Sequence, residues 1–98
     1  MAILVMFELP GMTQAAYERT TVMVSGGSGG LNSPADWPVP GLISHTAAPT
    51  PDGWFVADVW ESAEAFERFG EVIRPILREV GAPDVQPKVY PVFNVVTG

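Results

Sequence analysis

A lone histidine and an aspartate inside an apolar stretch are the residues of this sequence with the clearest potential for chemistry. His45 is the only histidine among 98 residues, and an imidazole can act as a general acid or base near neutral pH. Asp58 lies in DGWFVADVWES, residues 52–62, among large hydrophobic side chains. A carboxylate in such surroundings needs a partner, because burying an unpaired charge costs free energy. If Asp58 lies beside His45, it can orient the imidazole and stabilise its charged form.

Both residues also admit structural interpretations, which the sequence leaves open. His45 is either a catalytic acid or base, or a histidine satisfied by backbone groups or by a neighbouring subunit. Asp58 is either an acid or base in a pocket or an anchor for an arginine or a backbone donor. The arginines available to it are Arg19, Arg68, Arg74 and Arg78.

Aromatic side chains supply the candidate binding surface. Three tryptophans are many for so short a chain, and indoles can line a pocket for an aromatic or polyketide-like ligand. They also serve as ordinary core residues. We predict a lid role for Trp37, because it lies in the glycine- and proline-rich segment 25–41. The candidate substrate-binding residues are Trp37, Trp54, Tyr17, Trp60 and Tyr90.

Composition excludes several functional classes. A net charge of −6 argues against binding nucleic acid or anionic membranes, both of which need a basic surface. The chain has no cysteine, and its histidine, aspartates and glutamates show no metal-ligand spacing, so we expect no metal site. The apolar N-terminal run is too short for a membrane span and lacks the basic start of a signal peptide. We therefore expect a cytoplasmic protein.

The hydrophobic pattern places the candidate residues on strands and helices. Apolar runs bounded by glycine and proline indicate strands, and apolar positions at helical spacing after Thr13 and Ser62 indicate two capped helices. Pro91 falls in the last strand, where an edge position tolerates a missing donor. The predicted strands cover residues 2–8, 41–48, 53–60 and 87–96, and the helices begin after residues 13 and 62.

This β-α-β-β-α-β order predicts a single α+β domain over residues 1–98, with a ferredoxin-like antiparallel sheet. In that arrangement the first and third strands are central, which fits their apolar character on both faces. Pairing across a turn at 49–52 sets residues whose numbers sum to about 101 opposite one another. His45 then shares a face with Trp54 and Asp58, whereas a slip of one residue would separate them.

Two helices cover only one face of a four-stranded sheet. An apolar face of that size is not left in water, and a second copy related by a two-fold axis is the simplest cover. We therefore predict a homodimer in which the sheets pack face to face, forming an α/β barrel.

The segment DVWESAEAFERF resembles the dimeric α/β-barrel superfamily, and within it the antibiotic-biosynthesis-monooxygenase-like group. The residues that carry the resemblance are Trp60, Glu61-Ser62 and Glu64-Ala65-Phe66. Members of that group often have a histidine nine residues after the tryptophan, and in the haem-degrading branch this histidine binds iron. Phe69 occupies that position here, which argues against haem binding.

The resemblance implies a pocket between helices and sheet, hydrophobic small-molecule substrates and activities from cofactor-independent oxygenation to isomerisation and cyclisation. The leading hypothesis is therefore a small cofactor-independent enzyme of secondary metabolism that acts on an aromatic or polyketide-like molecule. His45 would be its general acid or base, and Asp58 would either orient the imidazole of His45 or act as a second acid. The alternative is a non-catalytic module that holds or senses a ligand in the same cavity.

Overall fold

The protein has an α+β fold in which two helices accompany a four-stranded antiparallel sheet. The structure is a computed structural model that describes residues 1–27 and 30–97. Residues 28 and 29 of the predicted lid segment lie outside the described residues. The elements are β1 (Ile3–Pro10), α1 (Gln14–Val24), a 3-10 turn (Pro34–Asp36), β2 (Leu42–Thr50), β3 (Gly53–Trp60), α2 (Ala63–Glu79) and β4 (Lys88–Pro91).

The sheet has the strand order β2-β3-β1-β4, so β1 and β3 are central and β2 and β4 form the edges. This α+β architecture is compatible with a ferredoxin-like arrangement. The apolar pattern explains the positions, because β1 and β3 carry the most hydrophobic residues and lose the most contact with water at the centre. In β3 the alternate residues Trp54, Val56, Asp58 and Trp60 are all buried.

Both helices begin where their capping residues predict. The Thr13 hydroxyl accepts from Ala16 N at 3.1 Å, and the Ser62 hydroxyl accepts from Ala65 N at 3.1 Å. These contacts satisfy backbone donors that the first helical turn leaves without partners. Helix α1 continues to Val24 despite its β-branched residues. The two caps fix where the helices start, and hence which residues face the sheet.

The buried core has two clusters, both centred on the helix-facing side of the sheet. One contains the completely buried Trp60 and Val5 together with Trp37 and Phe69. The other is built around Trp54. The indoles therefore form much of the interior, which is the structural role that the sequence offered for them.

The last strand is shorter than predicted. Residues 87–96 were expected to be extended and paired, but β4 covers only Lys88–Pro91. Pro91 lies opposite Ile3, the first residue of β1, and one further bond joins Val92 N to Ala2 O at 2.9 Å. The pairing of β4 with β1 thus ends close to the first residue of β1. Phe93 is fully exposed as a result, at 103% of its reference area.

Neither of the helices in the described parts of the chain is long and apolar enough to cross a membrane.

Candidate active site

Strand pairing brings His45 and Asp58 directly opposite each other on β2 and β3. The predicted register paired His45 with Val56 instead, two residues away. Shifting the register by two residues leaves each side chain on the same face of the sheet. His45 and Asp58 therefore share a face, as predicted, although their pairing differs from the predicted one. The imidazole Nδ1 lies 2.6 Å from Asp58 Oδ1. The Asp58 side chain is 4% exposed and that of His45 17%, so water screens their attraction little.

The second oxygen of the buried carboxylate is also engaged. Trp60 Nε1 donates to Asp58 Oδ2 over 3.4 Å, a long hydrogen bond. The partners of Asp58 are therefore an imidazole and an indole from its own sheet face, instead of the arginine or backbone donor that the structural interpretation offered. Two donors compensate part of the cost of burying the charge.

Tyr17, on helix α1, contacts the other nitrogen of the His45 ring. Its hydroxyl lies 2.8 Å from His45 Nε2, and its ring stacks on Trp54 at a centroid distance of 4.9 Å. Burial, and secondly the negative charge of Asp58, raise the pKa of Tyr17 above the ordinary value of 10.0. The phenol consequently stays protonated at neutral pH and can donate to a neutral imidazole. We call Tyr17, His45 and Asp58 the relay.

The relay defines the tautomer of His45. A carboxylate only accepts hydrogen bonds, so Nδ1 must donate to Asp58. In the neutral imidazole Nε2 then accepts the proton of the Tyr17 hydroxyl. When Nε2 gains a proton, the imidazolium is held between the Asp58 carboxylate and the phenol oxygen. The arrangement can therefore take up and release one proton without rearranging its heavy atoms.

The relay borders a small apolar cavity of about 60 Å³. Helix α1, helix α2, the sheet and the loop residues Leu31 and Trp37 all contribute to its wall, which is almost entirely apolar. The wall hydroxyls of Thr20 and Thr21 donate to carbonyls of their own helix, at 2.8 and 2.7 Å. An engineered cavity that binds benzene measures about 150 Å³, so an aromatic ligand requires part of this wall to move.

Trp37 is the part of the wall that covers the relay. Its indole meets the His45 ring edge-on at a centroid distance of 4.9 Å, and it is 8% exposed. The preceding turn is fixed by Asp36, whose Oδ2 accepts from Asn32 N at 2.8 Å and from Ser33 N at 3.0 Å. The lid candidate thus lies over the imidazole in the structure.

The remaining predicted binding residues, Trp54, Trp60 and Tyr90, do not line the cavity. Trp54 and Trp60 are buried behind the relay and are not among the residues that line the cavity. Tyr90 is opposite Leu4 on β4, on the sheet face that turns away from Asp58, and it is 49% exposed. Tyr90 is therefore not among the residues that line this cavity, because alternation along β4 directs its side chain to the other face.

Several cavity residues escaped the sequence analysis. Their apolar side chains at helical or strand spacing predicted ordinary core, and nothing in local periodicity separates a core wall from a cavity wall. The hydroxyl contact between Tyr17 and His45 spans 28 positions of the chain and has no local signal. The missed lining residues include Phe7, Leu9, Met12, Leu31, Ile73 and Leu77.

Comparison with protein-family models, curated proteins and solved structures finds no match for this chain. The resemblance to the dimeric α/β-barrel superfamily therefore depends on the motif residues alone. Of these, Trp60 stacks on Phe69 at 5.0 Å, with both rings buried. Among residues 1–27 and 30–97, no three histidine, aspartate or glutamate side chains are grouped so that they could hold a metal ion.

Proposed function

We propose that the protein is a cofactor-independent enzyme that catalyses proton transfer on an apolar small molecule. The observation that supports this most directly is the relay itself, an Asp58–His45–Tyr17 chain with contacts of 2.6 and 2.8 Å beside an apolar cavity. Buried acid–base groups in contact with a cavity are typical of catalytic sites.

In this proposal His45 is the general base and Asp58 orients it. The base accepts one proton at Nε2, and the Asp58 carboxylate stabilises the imidazolium that forms. Return of the proton to a different atom of the substrate gives isomerisation or ring closure without any oxidant. An oxygenation would differ in consuming dioxygen, which would react with the substrate carbanion. An oxygen electrode separates these two reactions.

The substrate class follows from the wall of the cavity. Apolar side chains favour an apolar ligand, and the surrounding rings favour a planar one. We propose an aromatic or polyketide-like metabolite as the natural substrate. Its entry would displace the Trp37 indole from its position over His45.

Proton exchange tests this function without knowledge of the natural substrate. The probe is 1-indanone, an enolisable aromatic ketone, and NMR follows deuterium incorporation beside the carbonyl in D2O. We expect the wild-type protein to accelerate exchange, and His45→Gln and Asp58→Asn to lower the rate by about 10²–10⁴-fold. Circular dichroism checks that the variants fold. Equal rates in all three proteins would contradict the proposal, and binding without exchange would favour the ligand-holding alternative.

We further propose that the active form is a homodimer joined through the sheet face opposite the helices. On that face Leu4, Met6, Phe55 and Ala57 are only partly buried within one chain. Central strands with partly exposed apolar residues on a second face leave hydrophobic surface that a two-fold partner can cover.

A further inference from the structure

Both nitrogens of the His45 ring are already engaged. Nδ1 contacts Asp58 at 2.6 Å and Nε2 contacts the Tyr17 hydroxyl at 2.8 Å, while Trp37 covers the ring from the side. A substrate can therefore reach Nε2 only by displacing Tyr17, which is itself packed against Trp54. Tyr17 belongs to the cavity wall, and its oxygen keeps acceptor capacity after donating to the imidazole.

The cavity wall offers little else to a polar ligand. The two threonine hydroxyls donate to backbone carbonyls, and no lysine or arginine is among the lining residues that the structure describes. Asp58 is the single formally charged carboxylate of that wall. A negatively charged ligand would thus meet a buried negative charge, with no lysine or arginine of the described wall to compensate it.

We propose that the Tyr17 hydroxyl is the catalytic residue that exchanges the proton with the substrate, and that the substrate is an uncharged molecule presenting one hydroxyl or enolisable carbonyl group. This inference rests on the proposed proton-transfer function and specifies it. It assigns to Tyr17 a role beyond binding. It also excludes anionic groups such as carboxylates and phosphates from the buried part of the ligand.

The proposed step conserves atoms and charge. The substrate O–H, or the C–H beside its carbonyl, breaks and its proton forms a new O–H bond at Tyr17. At the same time the original Tyr17 O–H breaks and its proton bonds to His45 Nε2. The substrate becomes a phenolate or enolate, and the imidazolium is paired with Asp58. No electron acceptor takes part, and reversal returns the proton to the substrate.

Matched ligands test the charge requirement. Benzamide and benzoate have nearly the same shape, but only benzoate is anionic at neutral pH. We expect benzoate to bind about 100-fold more weakly, the effect of a second negative charge about 6 Å from Asp58 at an effective dielectric constant of about 20. Ligand-observed NMR measures both affinities, in the wild-type protein and in Trp37→Ala, where the missing indole makes room for a ring. Equal affinities, or no binding of benzamide to either protein, would overturn the inference.

The role of Tyr17 has a separate test in Tyr17→Phe, which keeps the ring and its stacking on Trp54. We expect phenol to bind this variant about 5-fold more weakly, the loss of one hydrogen bond, while toluene binds it as it binds the wild type. We also expect 1-indanone exchange to fall at least about 100-fold. Full exchange in Tyr17→Phe with loss in His45→Gln would refute the inference and leave the proposed function intact. Equal exchange in the wild type and His45→Gln would instead refute the function.

Discussion

Trp60 Nε1 lies 3.4 Å from Asp58 Oδ2, and the two residues occupy the same face of β3. The other carboxylate oxygen contacts His45, so both oxygens of this buried group have donors. Trp54 is on the same face of the strand, but its Nε1 is buried and has no hydrogen-bond partner among the described residues. The two buried indoles can therefore be compared directly, because only Trp60 donates a hydrogen bond to Asp58. We call Trp60 and Trp54 the matched pair.

We expect the same substitution at Trp60 and at Trp54 to lower the free energy of unfolding by different amounts. Trp60→Phe and Trp54→Phe each remove part of a buried ring, but only the first also removes a donor from a buried carboxylate. We expect Trp60→Phe to lower the free energy of unfolding by about 1 kcal/mol more than Trp54→Phe does. Urea unfolding measures both, and equal losses would show that the long Trp60–Asp58 contact contributes nothing to stability.

Tyr17 predicts how stability changes at alkaline pH. Its pKa is raised in the folded protein, chiefly by burial, so the folded state holds this proton more tightly than the unfolded chain does. The resulting stability is fully present below about pH 10, the ordinary tyrosine pKa, and is lost as pH rises through the folded value. We expect the free energy of unfolding to fall more steeply above pH 10 in the wild type than in Tyr17→Phe. Parallel profiles from urea titrations at pH 8–11 would contradict this.

The buried position of Trp37 over His45 links the stability of the fold to the entry of a ligand. Trp37→Ala removes a buried indole from the cavity wall, and we expect a loss of about 3 kcal/mol in the free energy of unfolding. We also expect faster association of 1-indanone, because the indole no longer covers His45. Stopped-flow fluorescence of the remaining tryptophans measures the rate. Trp37→Phe is the control, since a smaller ring retains part of the cover and should give an intermediate rate. Unchanged association in both variants would show that Trp37 is not a lid.

The free sheet face predicts the oligomeric state. Ala57 lies between Met6 and Thr46 in the centre of that face, so Ala57→Lys would place a charge within the proposed interface. We expect the wild type to sediment as a dimer at micromolar concentration and this variant as a monomer. Glu67→Lys, on the exposed side of α2, is the control and should remain dimeric. A monomeric wild type would remove the proposed dimer, whatever the variants do.

The sequence by itself determined the element order, the two helix caps and the central positions of the most apolar strands. The element order and the caps depend on neighbours within a few residues, because capping hydroxyls and alternating side chains act locally. The central positions followed from the topology that this order predicts. Strand alternation also predicted that His45 and Asp58 share a face, although their pairing differs by two residues from the expected one.

Only the tertiary structure decided which groups complete the site. The docking of α1 brings the Tyr17 hydroxyl to His45 Nε2, and the docking of the loop brings Trp37 over the same ring. Strand β4 ends at Pro91, opposite Ile3, the first residue of β1, so its length depends on pairing with a distant part of the chain. Such contacts join segments far apart in the chain, and the packing of whole elements fixes them where no local pattern of residues does.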